Sequence, residues 1–255
     1  MKPEVAAQKK QSLENRVILV TGAGGAIGGA AAKAFAAQGA SVVLLGRTLL
    51  PLEKTYDAIV NAGHPQPAIC PLDFASAGPA EFQTIAHTIA QEFGRLDGIL
   101  HAAASLGSLT PIEHYDLPLW QRVLQINLTA PMLLTRACLN LLKASSNAAI
   151  LFSTSEVGLK GQAYWGAYGV AQAGIENLAE ILADELEENT AICVNSIDPG
   201  PIRSRLRALA FPGEDPNTLP SAETVIPVYL ELIAGSDKSA TGQRVNATDH
   251  PRYSP

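Results

Sequence analysis

Four glycines near the start of the chain have the spacing that lets bare backbone bind a phosphate group. They lie in the segment Thr21-Gly22-Ala23-Gly24-Gly25-Ala26-Ile27-Gly28. Free backbone N–H groups at a helix N-terminus, together with the helix macrodipole, favour anions at such a turn. The residue types therefore predict binding of the pyrophosphate of a dinucleotide.

The elements around this turn must position its glycines. Val17 to Val20 is an apolar, β-branched run typical of a buried strand, and the Ala-rich residues 29–38 predict a helix. Gly39 ends that helix, and Ser41 to Leu45 predicts a second strand. The stretch from Arg16 to Thr48 therefore predicts a βαβ dinucleotide unit. The alternative is a glycine turn that binds nothing, and the flanking strand, helix and strand argue against it.

The tip of the second strand, Gly46-Arg47-Thr48, indicates which dinucleotide binds. A carboxylate at this point would bond the 2′-hydroxyl of an adenosine ribose, whereas a guanidinium would pair with a 2′-phosphate. Gly46 has no carboxylate and Arg47 has a guanidinium, so the sequence favours NADP(H) over NAD(H). The alternative, that Arg47 only solvates a loop, stays open.

Beyond residue 48 the sequence keeps alternating between strand and helix patterns. The predicted strands are 68–72, 97–102, 148–154, 191–197 and 241–246, and the predicted helices are 52–61, 81–93, 117–142, 168–186 and 222–233. This alternation predicts one α/β domain over residues 16–247. Residues 1–15 are expected to be a flexible, solvated extension, and residues 248–255 a loose surface tail.

Composition excludes several classes of function. The 255 residues carry a net charge of −6, which argues against a nucleic-acid or anionic-membrane surface. No apolar run approaches the roughly 18 residues of a membrane span, and the start of the chain has no signal-peptide core, so a cytoplasmic protein is expected. Cys70, Cys138 and Cys193 are widely spaced and predict free thiols rather than a metal site.

Pro131 interrupts the long predicted helix at 117–142. Proline lacks the N–H that would bond the carbonyl four residues earlier, which belongs to Asn127. The carbonyl of Asn127 is therefore predicted to face another group.

Taken in order, these motifs resemble the short-chain dehydrogenase/reductase family from Arg16 to about Asn246. The family fingerprint Thr-Gly-x-x-x-Gly-x-Gly matches residues 21–28, with Ala26 at the middle glycine. The resemblance implies a Rossmann-type, doubly wound sheet of seven parallel strands with helices on both faces, in a single domain. It also implies a homodimer or homotetramer that pairs through the long helices.

The family's catalytic set of Asn, Ser, Tyr and Lys is matched by Asn127, Ser155, Tyr168 and Gln172, so the lysine is replaced. The resemblance implies that Asn127 holds a water in the proton relay, and the alternative is that it only caps the helix kink. A free tyrosine has a pKa of about 10, and an ammonium lowers it where a neutral amide does not. Gln172 could still bond the nicotinamide ribose, so proton transfer is expected to suffer more than cofactor binding. Lys160 is either a stand-in cation or a solvated loop lysine.

The resemblance also implies a set of cofactor-binding residues along the chain. They are Thr21, Gly22, Gly24, Gly25, Ala26, Ile27, Gly28, Arg47, Asp73, Phe74, Ala102, Ala103, Ala104, Pro199, Gly200, Ile202 and Ser204. Asp73 is expected to contact the adenine, with an N-cap role as the alternative. His101-Ala102-Ala103-Ala104 stands where the family reads Asn-Asn-Ala-Gly, and it lacks the side-chain amide and the final glycine.

Residues 203–220 predict a lid over the substrate. Arg203, Arg205 and Arg207 either favour an anionic substrate or form a solvated helix face. Tyr164 and Trp165 lie one helical turn before Tyr168, and they either wall the substrate pocket or pack under the loop.

The leading hypothesis is therefore an NADP-dependent oxidoreductase acting on a small carbonyl or alcohol, with Ser155 polarising the oxygen and Tyr168 delivering the proton. The substitutions at positions 26, 102, 104 and 172 support an alternative, a dinucleotide-binding regulatory protein with weak or no catalysis. A protein that binds no nucleotide is the third reading.

Overall fold

The computed structural model describes residues 12–235 and 241–253. Seven parallel strands form one sheet in the order β3-β2-β1-β4-β5-β6-β7. The strands are β1 (Val17–Thr21), β2 (Ser41–Gly46), β3 (Ala68–Pro71), β4 (Gly98–His101), β5 (Ala148–Ser153), β6 (Ile192–Asp198) and β7 (Arg244–Asn246). The helices are α1 (Ala26–Ala37), α2 (Leu49–Asn61), α3 (Pro79–Phe93), α4 (Leu117–Leu124), α5 (Ala130–Lys143), α6 (Gly166–Glu187), α7 (Arg205–Ala210) and α8 (Ile226–Ala234).

The sheet is buried on both faces, which explains its nearly continuous apolar strands. β1 lies between β2 and β4, so the strand order reverses at the carboxyl end of β1. One core packs α1 and α8 against the sheet, and the other packs α3, α5 and α6 against its opposite face. The predicted Rossmann-type, seven-stranded, single-domain fold is confirmed. Ligands of such sheets bind in the crevice where the order reverses.

The long helix predicted at 117–142 is interrupted earlier than Pro131. A π-helical segment, Gln125–Thr129, separates α4 from α5, and the Ala130 N–H bonds the Gln125 carbonyl. Pro131 follows at the start of α5, in a helix that continues from the π segment without a break, so its missing N–H removes one helical hydrogen bond. The irregular backbone therefore includes Asn127. The sequence predicts an interruption of the helix near this residue, but not its π-helical form.

Both ends of the described chain are better packed than the sequence predicts. Residues 1–11 of the expected extension lie outside the described residues, but Leu13 is completely buried and its N–H bonds the Gln38 carbonyl. The described part of the predicted tail, 248–253, is not loose, because Arg252 pairs with Glu231 and the Tyr253 ring packs on the core. Ala247, just before the tail, is buried. Isolated apolar residues in polar segments carry too weak a pattern to reveal such contacts.

Within the described ranges, no helix combines the length and apolarity that crossing a membrane would require.

Leu13→Ala is expected to lower the free energy of unfolding by about 3 kcal/mol, because it removes a fully buried leucine from the first core. Urea unfolding followed by circular dichroism measures the change. Glu14→Ala, at the exposed neighbouring position, is the control and is expected to change stability by less than about 0.5 kcal/mol. Equal effects of the two substitutions would contradict the packing of Leu13.

Candidate functional site

A cavity of about 620 Å³ opens at the carboxyl ends of the central strands. It runs from the turn between β1 and α1 to the start of α6 and the segment after β6. All but three of the sequence-predicted site residues line it. These lining residues are Gly22, Gly24, Gly25, Ala26, Ile27, Gly28, Arg47, Asp73, Phe74, Ala102, Ala103, Ala104, Ser155, Tyr168, Pro199, Gly200, Ile202 and Ser204. The three residues that do not line it are Thr21, Asn127 and Gln172.

In the glycine turn, the backbone at Gly28 lies so close to the backbone at Gly22 that position 28 has no space for a side chain. A Cβ on Gly28 would lie 2.3 Å from the Gly22 carbonyl oxygen, and Gly22 itself has φ +66°. Gly25 is the N-cap of α1, with no side-chain cap and no acidic residue in the first turn. The first N–H groups of this 12-residue helix are therefore left for an anion. The Ala26 methyl is exposed at the cavity wall, so the close packing falls on Gly28.

Thr21 supports this turn from behind the cavity. Its buried Oγ1 accepts hydrogen bonds from the N–H groups of Ala102 (3.0 Å) and Ala103 (3.1 Å). Thr21 therefore has a structural role, in which it ties the end of β1 to the end of β4, and its predicted cofactor contact stays a prediction. A lone threonine before a glycine turn gives no sequence signal for this partner.

Asn127 holds the next part of the same loop. Its Oδ1 accepts from the Ser105 N–H (2.8 Å) and its Nδ2 donates to the Ser105 carbonyl (2.7 Å). The side chain is buried and uses both ends of its amide on one residue, so it fixes the loop after Ala104. That the Asn127 carbonyl holds a water in a proton relay stays a prediction.

His101 precedes the three alanines and is buried beneath them. Its Nε2 lies 2.9 Å from the Thr135 hydroxyl, and its ring stacks on Phe152 with centroids 4.7 Å apart. Burial lowers the pKa of His101 to about 3, so the imidazole is neutral at physiological pH. His101 is therefore a packing residue behind the cavity.

Ser155 and Tyr168 meet at the far end of the cavity from the glycine turn. The Tyr168 phenol is only 5% exposed and hydrogen-bonds the Ser155 side chain. Burial raises the pKa of Tyr168 above its ordinary value, the Asp198 carboxylate raises it further, and the bond with Ser155 lowers it. The neighbouring Thr154 also lines the cavity, and its buried hydroxyl has no hydrogen-bond partner among the described residues.

Gln172 lies one helical turn after Tyr168 but is not part of the cavity wall. It is 4% exposed, and its Oε1 has no hydrogen-bond partner within the described part of the chain. The backbone at Gly158 packs against it so closely that a Cβ there would lie 2.8 Å from the Gln172 carbonyl carbon. Lys160 is exposed and does not line the cavity, which favours the solvated loop lysine over a stand-in cation.

Asp198 is a site residue to which the sequence assigned no role. It lines the cavity at the end of β6, where its Oδ1 accepts from the Gly200 N–H (2.9 Å) and its Oδ2 lies 3.3 Å from Arg244 Nη2. Burial raises the pKa of Asp198, and Glu156 and Glu176 raise it further. An aspartate before Pro-Gly at the end of a predicted strand is the signal that could have identified it.

The opposite end of the cavity carries the residues predicted for the adenosine. Arg47 is exposed at the cavity wall beyond β2. Asp73 lines the cavity and accepts the Ala75 N–H at 3.0 Å, so it shapes the turn after β3. It does not cap α3, whose N-cap is Gly78, and the N-cap alternative for Asp73 is therefore wrong.

The segment predicted as a lid contains α7, and its residues 204–207 and 209–211 line the cavity. Ser204 caps α7 by accepting the Arg207 N–H at 3.1 Å. Arg207 forms two 2.7 Å bonds with Glu214, and its guanidinium carbon lies 3.7 Å from the Phe211 ring centroid. Phe211 in turn packs near Trp165, with centroids 6.0 Å apart.

Of the other residues predicted for the lid and the aromatic pocket wall, some line the cavity and some do not. Arg203 bonds the Leu219 carbonyl, whereas Arg205 is exposed and lines the cavity. Trp165 lines the cavity and packs near Tyr168, with centroids 5.8 Å apart. Tyr164 is 58% exposed and does not line it. Only one of the two predicted aromatic walls is therefore present.

Comparison with known proteins gives consistent matches over most of the chain. Residues 16–215 match the family model described as short chain dehydrogenase. The uncharacterized oxidoreductase YciK of Escherichia coli K12 is 39% identical over 241 residues, covering 94% of this chain and 95% of the relative. A solved structure from Pseudomonas syringae is 47% identical with a TM-score of 0.91, covering 94% of this chain and 98% of that chain. A structure from Shigella flexneri 2a strain 301, in complex with NADP, is 39% identical with a TM-score of 0.89, covering 94% and 100%.

His101 is expected to make stability depend on pH. Because its pKa is about 3 in the folded chain and about 6.5 when unfolded, the unfolded chain binds the proton first and stability falls as pH falls below about 6.5. Between pH 7.5 and 5, the native protein should lose about 2 kcal/mol more unfolding free energy than His101→Asn. Urea unfolding at both pH values measures this, with His114→Asn, at an exposed histidine, as the control. Parallel losses in the native protein and His101→Asn would show that His101 titrates normally.

Proposed function

Because the chain belongs to the short-chain dehydrogenase/reductase family, we propose that it is an NADP(H)-dependent oxidoreductase acting on a small carbonyl or alcohol. The observation that carries this proposal is the single cavity that joins the glycine turn to the paired hydroxyls of Ser155 and Tyr168. One end offers uncapped helix N–H groups, and the other offers a proton donor, as a dinucleotide with a reactive ring requires.

The turn fits the pyrophosphate of a dinucleotide. The close approach of Gly28 to Gly22 and the uncapped start of α1 form a cradle that any side chain at Gly28 would fill. Arg47 supplies a guanidinium for a 2′-phosphate, and the Shigella relative binds NADP. Residues after β6, from Pro199 to Ser204, would hold the nicotinamide end. A bound nicotinamide supplies or accepts a hydride at the substrate carbon.

Ser155 and Tyr168 would act on the substrate oxygen. Ser155 donates a hydrogen bond that polarises a carbonyl, and Tyr168 Oη delivers the proton as the oxygen becomes an alcohol. Trp165 and the lid residue Phe211 line this end of the cavity and would exclude water from it. With Gln172 in place of the family's lysine, no ammonium at that position assists proton transfer.

The replacement of lysine by Gln172 also favours a second candidate, a dinucleotide-binding protein of the same fold with little or no catalysis. Both candidates bind NADPH, and single-turnover oxidation of bound NADPH by carbonyl compounds separates them. A homodimer or homotetramer stays part of the proposal. It is supported by exposed apolar side chains on the long helices, Leu117 on α4 and Val170 and Ile181 on α6.

Arg47→Gln is expected to weaken NADPH binding by roughly tenfold or more, because a charge-assisted pair with the 2′-phosphate is lost, and to leave NADH binding nearly unchanged. Fluorescence titration of both cofactors measures the two affinities. Arg136→Gln, at an exposed arginine of α5 outside the cavity, is the control. An equal loss for both cofactors, or no binding of either by the native protein, would contradict the cofactor assignment.

Gln172→Lys is expected to raise reductase turnover by roughly tenfold or more, because an ammonium one turn from the phenol lowers its pKa and strengthens the acid. Stopped-flow NADPH oxidation against a broad carbonyl panel measures it. Gln91→Lys, on the exposed face of α3, is the matched control, and Tyr168→Phe gives the background rate. If the NADPH oxidation rate of Gln172→Lys does not rise with any carbonyl compound of the panel, the result would favour the non-catalytic candidate.

A further inference from the structure

The segment that follows β6 is supported by β7 and by the residues after β7. β7 pairs in parallel with β6, and Asn246 lies opposite Asp198. Asp198 Oδ1 accepts the Gly200 N–H at 2.9 Å, which closes a side-chain turn around a glycine with φ +70°. A Cβ on Gly200 would lie 2.9 Å from Thr248 Cγ2, so the Thr248 methyl packs against this turn. Residues 199–204, which we call the nicotinamide loop because the proposed function places the nicotinamide there, therefore begin at a supported turn.

Arg244 of β7 binds two carboxylates with one guanidinium. Its Nε donates to Glu176 Oε1 at 2.8 Å, and its Nη2 donates to Asp198 Oδ2 at 3.3 Å. Both carboxylates are buried, and a buried carboxylate depends strongly on its partner. The second oxygen of Glu176 accepts the Ser196 hydroxyl, and that of Asp198 accepts the Gly200 N–H. Each carboxylate oxygen therefore has a partner, and Arg244 is the link between the two groups.

Glu176 connects this pair to the helix of the proposed proton donor. Tyr168, Gln172 and Glu176 are spaced by four residues on α6 and all three are buried, so they lie on one face of the helix. Arg244 therefore joins α6 to the residue that starts the nicotinamide loop. A planar guanidinium presents its N–H groups in fixed directions, so it sets this separation more strictly than an ammonium could.

We infer that Arg244 is a positioning residue for the nicotinamide end of the cofactor, because it bridges Asp198 and Glu176 and so fixes the nicotinamide loop relative to Tyr168. The inference rests on the proposed function, which places the nicotinamide at residues 199–204. Arg244 does not line the cavity, so it acts through Asp198 and not on the cofactor itself.

A fixed loop changes how much affinity the nicotinamide contributes. When the loop is already ordered, binding costs less conformational entropy. Without the Arg244 bridge, the cofactor would have to order the loop on binding, and the nicotinamide would contribute less. The glycine turn and Arg47 lie at the other end of the cavity, so they should bind the phosphates as before.

Calorimetric titration with two ligands tests the inference. The ligands are NADP⁺ and ADP-ribose 2′-phosphate, which is NADP⁺ without its nicotinamide. Arg244→Gln should weaken NADP⁺ binding roughly fivefold and change ADP-ribose 2′-phosphate binding by less than about twofold. Arg252→Gln, which breaks the exposed pair with Glu231 farther along the same segment, is the matched control and should change neither affinity.

Two further variants separate the bridge from other effects. Asparagine has one acceptor oxygen, so in Asp198→Asn it cannot serve both Gly200 and Arg244. If Arg244 acts through Asp198, the double variant Asp198→Asn/Arg244→Gln should bind NADP⁺ no more weakly than Asp198→Asn alone. Arg244→Lys keeps a positive charge beside the buried carboxylates, so it should fold even where Arg244→Gln does not. It should still weaken NADP⁺ binding selectively, because an ammonium lacks the two fixed donor directions.

Hydrogen exchange of the peptide that contains Gly200 gives a readout without any ligand. The exchange should be faster in Arg244→Gln and Arg244→Lys than in the native protein, and unchanged in Arg252→Gln. Native-like NADP⁺ affinity in both Arg244 variants, or equal losses for NADP⁺ and ADP-ribose 2′-phosphate, would overturn the inference and leave the proposed function in place. A native protein that binds neither ligand would contradict the proposed function, and the role of Arg244 at the cofactor would fall with it.

Discussion

The contact between Gly28 and the Gly22 carbonyl is the constraint on which the site depends. A side chain at position 28 would collide with the turn, and only its absence lets α1 start directly behind β1. The strand order reverses at this point, so the approach opens the crevice. Thr21 then ties the ends of β1 and β4 together, and Asn127 fixes the following loop through Ser105. These hydrogen bonds go to backbone groups of the loop after β4, so they do not depend on the side chains of Ala102 to Ala104.

The two ends of the cavity carry different charged and polar groups. The glycine turn and Arg47 offer N–H groups and a guanidinium to an anionic ligand, whereas Asp198 places a carboxylate in the cavity wall at the end of β6. A dinucleotide lying between them would have its phosphates at the first end and its ring at the second. Gln172, which stands where the family has lysine, lies outside the cavity wall, so this substitution leaves the geometry of the glycine turn unchanged.

The sequence predicted the fold and most of the residues of the cavity wall, because these follow from patterns among residues that are close together in the chain. The glycine spacing and the apolar strands required only neighbouring residues, whereas the pairing of Ser155 with Tyr168 came from the family resemblance. The partners of Thr21 and Asn127 lie 81 and 22 residues away in sequence, and no local pattern encodes them. The bond between Asp198 and Arg244 joins residues 46 positions apart, which only the folded sheet brings near. The π segment shows a further limit, because Pro131 indicated an interruption without fixing its form.

The most direct measurement of the central claim is a crystal structure of the chain grown with NADP⁺. The account predicts the pyrophosphate on the N–H groups of the glycine turn, the 2′-phosphate beside Arg47, and the nicotinamide ring within reach of the Tyr168 phenol. An empty turn at saturating cofactor, or a nicotinamide ring held far from Tyr168, would contradict it.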